Sequence, residues 1–444
     1  MINISSLANF LSINSQDIED IESITNEKEN VIFIKLKKKE CLCSHCSSDS
    51  YKLKEYRNRD IKHALFIRKP TRFILKRRVY RCLSCGKTFV EPNPFAPTRS
   101  RVSFETIYKI LEGAKEYNNT WKTIGKSAHV SDETAINIFD KYVNLPRGNL
   151  SRVICIDECH NKNQFQKPYS CIIFDFLKNK IIDIIEGRNK IIVGNYLSKI
   201  SRNERCLVEY VVIDMWEPYL DVASIYFPHA TVAIDSFHVI REIGLALDKV
   251  RKRIMSGTTK GTESYYLLKK WNSLLFSEQK PWEEKQKIKG LGNKYFNRYE
   301  LLNMMLEINK DLKIAREFYL KYQYLNEHTN IENANEMVES FINYPNILDV
   351  DEFIPVVKML SNWKEWIINS FNIVEGRRVS NGPIEGFNSN FKKMMTVSNG
   401  LYSFHRFRNR LMYSYNKLNC ITPVKKRIIK RSRGQRGAYK KPRK

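Results

Sequence analysis

Arg152–His160, RVICIDECH, constrains this chain more than any other stretch. A short run of Val and Ile reads as a buried strand, and this one ends in two acids, Asp157 and Glu158. Side chains alternate across a strand, so the two acids face opposite ways and cannot chelate one ion together from a regular strand. Asp157 follows Val153, Ile154 and Ile156, where a sheet presents a carboxylate from its middle. A carboxylate there is costly unless it meets a metal or a partner. The simpler alternative is a strand that ends in solvent, and the segments that follow weigh against it.

Tyr169–Phe176 and Lys180–Ile185 read as two further strands, completing a three-strand meander, and residues 190–200 read as a helix. Val208–Asp214 is a buried strand that again ends in an acid, and Trp216–Tyr226 is a helix. Thr231–Asp235 is a fifth strand with Phe237 and His238 just beyond, and Val239–Met255 is helical. A meander followed by two strands alternating with helices is the order of the ribonuclease-H-like fold. Residues 257–375 interrupt that order with amphipathic stretches such as Tyr295–Ile308, Met337–Ile342 and Phe353–Phe371, and read as an all-helical insertion. Then comes Ser380–Asn388, SNGPIEGFN, where Asn381 or Gly382 can cap a helix with Pro383 at its first position. Ile384, Phe387, Phe391 and Met395 share one face of that helix and should pack on the sheet; Asn381, Glu385, Asn388 and Lys392 fall near another. Glu385 is either part of a site or only a first-turn acid.

The front of the chain differs in character. Val31–Leu36 reads as a strand. Cys43-Ser-His-Cys46 and Cys82-Leu-Ser-Cys85 then offer two CxxC knuckles, which can supply four thiolates to one tetrahedral zinc ion. Cys41 and His45 stand close enough to replace a first-knuckle ligand. Gly86 suits the positive φ of a knuckle turn, and Arg77–Arg81 and Lys87–Val90 read as flanking strands of a zinc ribbon. Four Cys leave no open position, so this zinc is structural. Arg68, Lys69, Arg72, Lys76, Arg77, Arg78 and Arg81 form a basic face, for DNA or simply for solvent. Pro92, Pro94 and Pro97 mark a linker, and residues 103–145 read as helices. Phe104, Ile107, Ile110 and Leu111 recur at helical spacing; Trp121–Ala128 is a second helix carrying Lys122 and Lys126. His129-Val-Ser makes a turn, and Ser131 caps a third helix with Ala135, Ile136, Phe139 and Val143 as its stripe. This is a helix-turn-helix or a plain three-helix bundle.

The formal charge of +27 on 444 residues predicts a polyanionic partner, most simply nucleic acid. No long apolar span argues for a membrane, and the N-terminus does not read as a signal peptide. Ten cysteines in this length are no disulfide scaffold, and the paired four point to metal in a reducing compartment. Residues 425–444 are a basic tail without an acid.

IDE at 156–158, DMWEPY at 214–219, FPHATVAIDSFHVIR at 227–241 and SNGPIEGFN at 380–388 resemble the motifs of insertion-sequence DDE transposases, the ISL3 family above all. The zinc ribbon and helix-turn-helix match that family too, so the resemblance spans nearly the whole chain. It implies a catalytic triad of Asp157, Asp214 and Glu385 holding magnesium or manganese, with zinc on Cys43, Cys46, Cys82 and Cys85. Asp235 competes with Asp214 for the second acid and, with His238, Asn381 and Asn388, is expected to support the site. Arg77, Arg78, Arg81, Lys122, Lys126, Lys392 and Lys393 are the candidate DNA contacts. Two divalent ions can activate a nucleophile and stabilise a leaving oxygen, which suits hydrolysis at an element end and then attack by the freed 3′ hydroxyl on target DNA.

The expected architecture is a multidomain α+β chain. It comprises a zinc ribbon over 1–95, a helix-turn-helix over 96–148, a catalytic core over 149–256 and 376–420, an all-helical insertion over 257–375 and a basic tail over 421–444. The expected partners are double-stranded DNA, as terminal inverted repeats and target, and further copies of the chain in a dimer or larger synaptic complex; the expected location is the bacterial cytoplasm. A non-catalytic DNA-binding regulator derived from a transposase is the alternative, and a structure-specific nuclease of the same fold would not need the helix-turn-helix.

Overall fold

The computed structural model describes residues 15–66, 69–162, 165–397 and 403–419; Arg68 and the basic tail lie outside them. The described residues divide into two compact units, one up to residue 146 together with those from 405 onward, the other 147–404.

The first unit opens with β1 (Ile18–Thr25), β2 (Asn30–Leu36), β3 (Tyr51–Phe66), β4 (Lys69–Cys82) and β5 (Thr88–Val90). They form one sheet in the order β1-β2-β4-β3, with β5 on β4. β2 and β4 are parallel and the other pairs antiparallel. The sheet is larger than the short strands expected around the cysteines. Thr71, Phe73 and Leu75 are buried while Arg72, Ile74 and Lys76 are not, so period-two alternation starts well ahead of the second knuckle. Phe73 and Leu75 bury against Ile32, Ile34 and Ile61.

Three helices follow: α1 (Phe104–Lys115), α2 (Trp121–Ala128) and α3 (Asp132–Tyr142). Each is capped by a hydroxyl, since Ser103, Thr120 and Ser131 accept from the backbone N–H three residues on. The α2–α3 turn places His129 in the left-handed region at φ 53°. Gly125 is required there, because a Cβ would lie 2.8 Å from the Val130 carbonyl oxygen. Two expected stripe positions differ: Phe104 is exposed, and Ile138 rather than Ile136 is buried in α3.

The second unit is built on β6 (Val153–His160), β7 (Tyr169–Asp175), β8 (Lys180–Glu186), β9 (Tyr210–Ile213) and β10 (Thr231–Ile234). Their order is β10-β9-β6-β7-β8. β6, β7 and β8 are antiparallel, whereas β9 and β10 run parallel to β6. Helices α4 (Lys190–Leu197), α5 (Arg202–Cys206), α6 (Glu217–Tyr226) and α7 (Ser236–Ser256) connect and follow the parallel strands. Val153–Ile156 are completely buried, as expected of a central strand covered on both faces.

The insertion contributes α8 (Glu263–Lys270), α9 (Arg298–Glu307), α10 (Lys310–His328), α11 (Ala334–Ile342), α12 (Ile354–Asn362) and α13 (Lys364–Asn369). It is not all-helical. β11 (Gln286–Ile288) and β12 (Lys294–Phe296) form an antiparallel hairpin, turned by Gly292 and Asn293 at positive φ. Tyr295 and Phe296 are therefore strand, and the helix expected from Tyr295 starts at Arg298 behind an Asn297–Glu300 capping box. One apolar cluster runs from Leu150 through the insertion to Phe371, so the insertion shares the core of the sheet. The helix after it, α14 (Gly382–Val397), buries Ile384, Phe387, Phe391 and Met395 completely, and the Phe387 ring lies 6.3 Å from that of Phe174 on β7.

The last helix, α15 (Phe404–Tyr415), falls on the other side of the division from α14. Tyr413 joins the core of α1–α3. Arg410, 1% exposed, donates to the carbonyls of Ala114, Glu116 and Asn119, which satisfies acceptors at the end of α1. Burial lowers its pKa to about 10.

Candidate active site

Register brings the acids together. Ile156 on β6 is level with Ile213 on β9, and Ile213 is level with Ile234 on β10. The next residue on each parallel strand is an acid, so Asp157, Asp214 and Asp235 form a row. Glu158 points to the other face, as alternation requires, and pairs with Arg188.

α14 closes the row from above. Asn381 donates its backbone N–H to Asp235 Oδ1 and its side-chain Nδ2 to Asp214 Oδ1, both at 3.0 Å. Its side chain therefore holds an acid and does not cap the helix. Asn381 Oδ1 is buried without a hydrogen-bond partner. One helical turn on, Glu385 stands exposed in the first turn, and Asn388, seven residues past Asn381, donates Nδ2 to Asp157 Oδ2 at 2.6 Å. The 381, 385, 388 spacing puts all three on one helical face. His238, in the first turn of α7, lies between two acids, with Nε2 3.2 Å from Asp214 and Nδ1 3.2 Å from Asp235.

Electrostatics follow from this crowding. Burial, and then the neighbouring Asp157 charge, push Asp214 up to about 8. Burial opposes a charged His238, but its hydrogen bond to Asp235 and the charge of Asp214 outweigh that and raise its pKa. Glu385, though exposed, is also raised, by partial loss of solvent around its carboxyl and then by Asp235. Asp235 is 2% exposed with both oxygens engaged, whereas Asp214 and Glu385 are more open.

Sequence reasoning did not find Cys159, whose thiol donates to Asn388 Oδ1 at 3.0 Å and so turns the Asn388 amide toward Asp157. The signal was present, since Cys159 lies two residues past Asp157 on the same strand face. Nothing in the sequence marked Arg188, which lies against the Tyr169 ring at 3.8 Å.

In the first unit, Cys43, Cys46, Cys82 and Cys85 bring their sulfurs within 4.8 Å of one another, the only such ligand group among the described residues. The Cys43–Cys85 and Cys46–Cys82 pairs are 3.7 and 3.5 Å apart. A tetrahedral ion with bonds of about 2.3 Å to sulfur sets its ligands about 3.8 Å apart, so the group suits zinc. Cys41 and His45 are not part of it. The Cys85 backbone N–H lowers the Cys82 thiol to about 6, favouring the thiolate a metal takes.

The candidate DNA contacts divide. Arg81, Lys122, Lys126, Lys392 and Lys393 are exposed. Arg77 is half-buried and donates to the Glu91 carbonyl at 2.6 Å. Arg78 is a correction: it is 5% exposed, and its guanidinium is taken up by Glu19, Glu91 and the Leu36 carbonyl. A basic run on a sheet alternates between faces, so every second cation turns inward and needs a buried partner.

The fold and site define a mixed α+β protein with a row of acids, one from the middle of β6 and two just past the ends of β9 and β10, and a metal-type cysteine cluster in its first unit. A family model described as a transposase, of the ISL3 type, matches residues 154–411. That is more than half of the chain, and the chain belongs to the ISL3 family of DDE transposases. Membership implies DNA binding, DNA processing and use of divalent metal. A search of curated proteins found no match. Among the described residues no helix is long and apolar enough to cross a membrane.

Proposed function

We propose that this chain cuts DNA at the ends of an insertion sequence and joins the freed 3′ hydroxyl to target DNA, with Asp157, Asp214 and Glu385 as the catalytic acids on a ribonuclease-H-like core. The row of acids facing α14 carries this reading. Their carboxylates, with the unpartnered Asn381 Oδ1 beside Asp214, are hard oxygen donors that fit magnesium or manganese. When bound, two such cations would activate the attacking oxygen and stabilise the leaving one. Asn388 orients Asp157, and Asn381 and His238 orient Asp214. Asp235 is the positioning acid, since its oxygens are spent on Asn381 and His238.

The front unit serves recognition. Structural zinc on the four cysteines fixes the knuckles, α2 and α3 act as a helix-turn-helix on the terminal repeats, and Arg81, Lys122 and Lys126 meet phosphates, as do Lys392 and Lys393 on α14 of the second unit. Such contacts make affinity fall steeply with salt. Two ends must be joined, so a dimer or larger complex in the cytoplasm is the working form.

The test is cleavage of labelled element-end DNA with magnesium by the native chain and by Asp157→Ala, Asp214→Ala and Glu385→Ala. Loss in all three with DNA binding kept supports the triad. Loss in Asp235→Ala but not in Asp214→Ala would move the second acid, and tight binding without cleavage under any metal would favour a regulator.

A further inference from the structure

A cavity of about 480 Å³ opens beside Asp214, within the range of about 300–1,000 Å³ typical of small-ligand sites. One wall is the face of α7 that carries His238, Arg241, Leu245 and Lys249, at helical spacing. Trp216, just after β9, and Met359 and Trp363, in and just after the last turn of α12, also line the cavity. Arg188 braces Trp216, with its guanidinium 5.0 Å from the ring centre.

The charges in this cavity mostly cancel in pairs. Glu158 is held by Arg188, Glu352 by Arg253 and Asp214 by His238. Arg241 and Lys249 are exposed with no ion pair among the described residues, against one carboxylate, the half-buried Glu242, that likewise has none. A rise of about 1.5 Å per residue spaces the two cations about 12 Å apart along α7, leading away from Asp214. The cavity thus offers aromatic and thioether walls for a flat apolar face, and cations for the charges attached to it.

We infer that this cavity receives one unpaired nucleotide of the DNA strand whose phosphodiester lies at Asp214, its base against Trp216 and Trp363 and its neighbouring phosphates on Arg241 and Lys249. This rests on the catalytic reading above, which places the strand at Asp214. The volume is ample for a single base with its sugar, and only a base freed from its stack can lay its face on Trp216 or Trp363. Aromatic stacking tolerates any base, since every base has a π face, so the cavity selects for unpairing and not for sequence.

The experiment measures binding of the full chain to a paired duplex and to the same duplex with one bulged 2-aminopurine nucleotide, in calcium to prevent cleavage. The bulged duplex should bind about ten-fold tighter, with a change in 2-aminopurine fluorescence. Trp216→Ala and Trp363→Ala should abolish that preference, and Trp363→Phe should restore most of it, which separates stacking from misfolding. Lys249→Ala, a surface change, should lower the salt slope by about 0.7–0.9. Equal binding of both duplexes by the native chain, or an undiminished preference in both Trp→Ala variants, would overturn the inference. Cleavage of element ends without a bulge preference would sink the cavity and leave the catalytic reading, and a Trp-dependent preference without cleavage would do the reverse.

Discussion

Replacing Asn388 by Ala tests how the candidate site is held. Its amide nitrogen donates to Asp157 Oδ2 at 2.6 Å, and its oxygen accepts from Cys159 at 3.0 Å. The first bond goes to a carboxylate and is worth about 1.5–3 kcal/mol, against about 0.5–1.5 for a neutral bond. Asp157 is 7% exposed, so water replaces the lost donor poorly. Groups that orient metal ligands typically carry about 10–100-fold in metal affinity or activity, which converts to about 1.4–2.7 kcal/mol and agrees with that bond. The magnesium or manganese concentration that half-saturates cleavage should therefore rise about 10–100-fold in Asn388→Ala. The rate at saturating metal should fall much less, because Asp157 itself remains. Asn388→Asp should be worse than Ala, since it sets a second carboxylate against the first. The assay is strand cleavage of element-end DNA across a metal titration. A native metal midpoint in Asn388→Ala would refute the reasoning, as would a loss of rate at every metal concentration with no shift of the midpoint.

Arg78→Met should destabilise the first unit by about 3 kcal/mol, because it leaves buried Glu91 unpaired, while DNA affinity of the folded protein stays native; urea midpoints and filter binding check both. Metal analysis should find one zinc per chain, lost in Cys82→Ser, and a zinc chelator should lower the melting temperature of the native protein but not of that variant. His63 supplies a pH dependence: burial, with a smaller contribution from Lys109, lowers it to about 4. The unfolded chain then takes up the proton first, so the stability is complete above the ordinary histidine pKa of about 6.5 and is lost as pH falls toward 4. Allowing for partial solvent access, the loss should be about 2 kcal/mol in native protein and absent in His63→Gln, by urea unfolding between pH 7 and 4.

Local chemistry was legible in the chain itself. A hydroxyl cap at Ser131 set a helix start, period-two alternation set Asp157 against Glu158, and CxxC spacing set the cysteine cluster. The order of meander and parallel strands followed from hydrophobic runs and their acid endings. These features depend on residues a few positions apart, and neighbours along the chain interact whatever the rest does.

Contacts between distant segments were decided only by the tertiary structure. Sequence could name Asp157, Asp214 and Asp235, but only β-strand register made them a row and left Asp235 closed off by Asn381 and His238. Arg78 looked like any other basic residue until β4 turned it inward onto Glu19 and Glu91. Tyr413 and Arg410 lie within a few dozen residues of Glu385, yet they complete a helical core that begins three hundred residues earlier. The reason is physical: a side chain's partner is chosen by which faces remain apolar and which buried polar groups remain unsatisfied once the sheets have formed, and that choice is made across the whole chain at once.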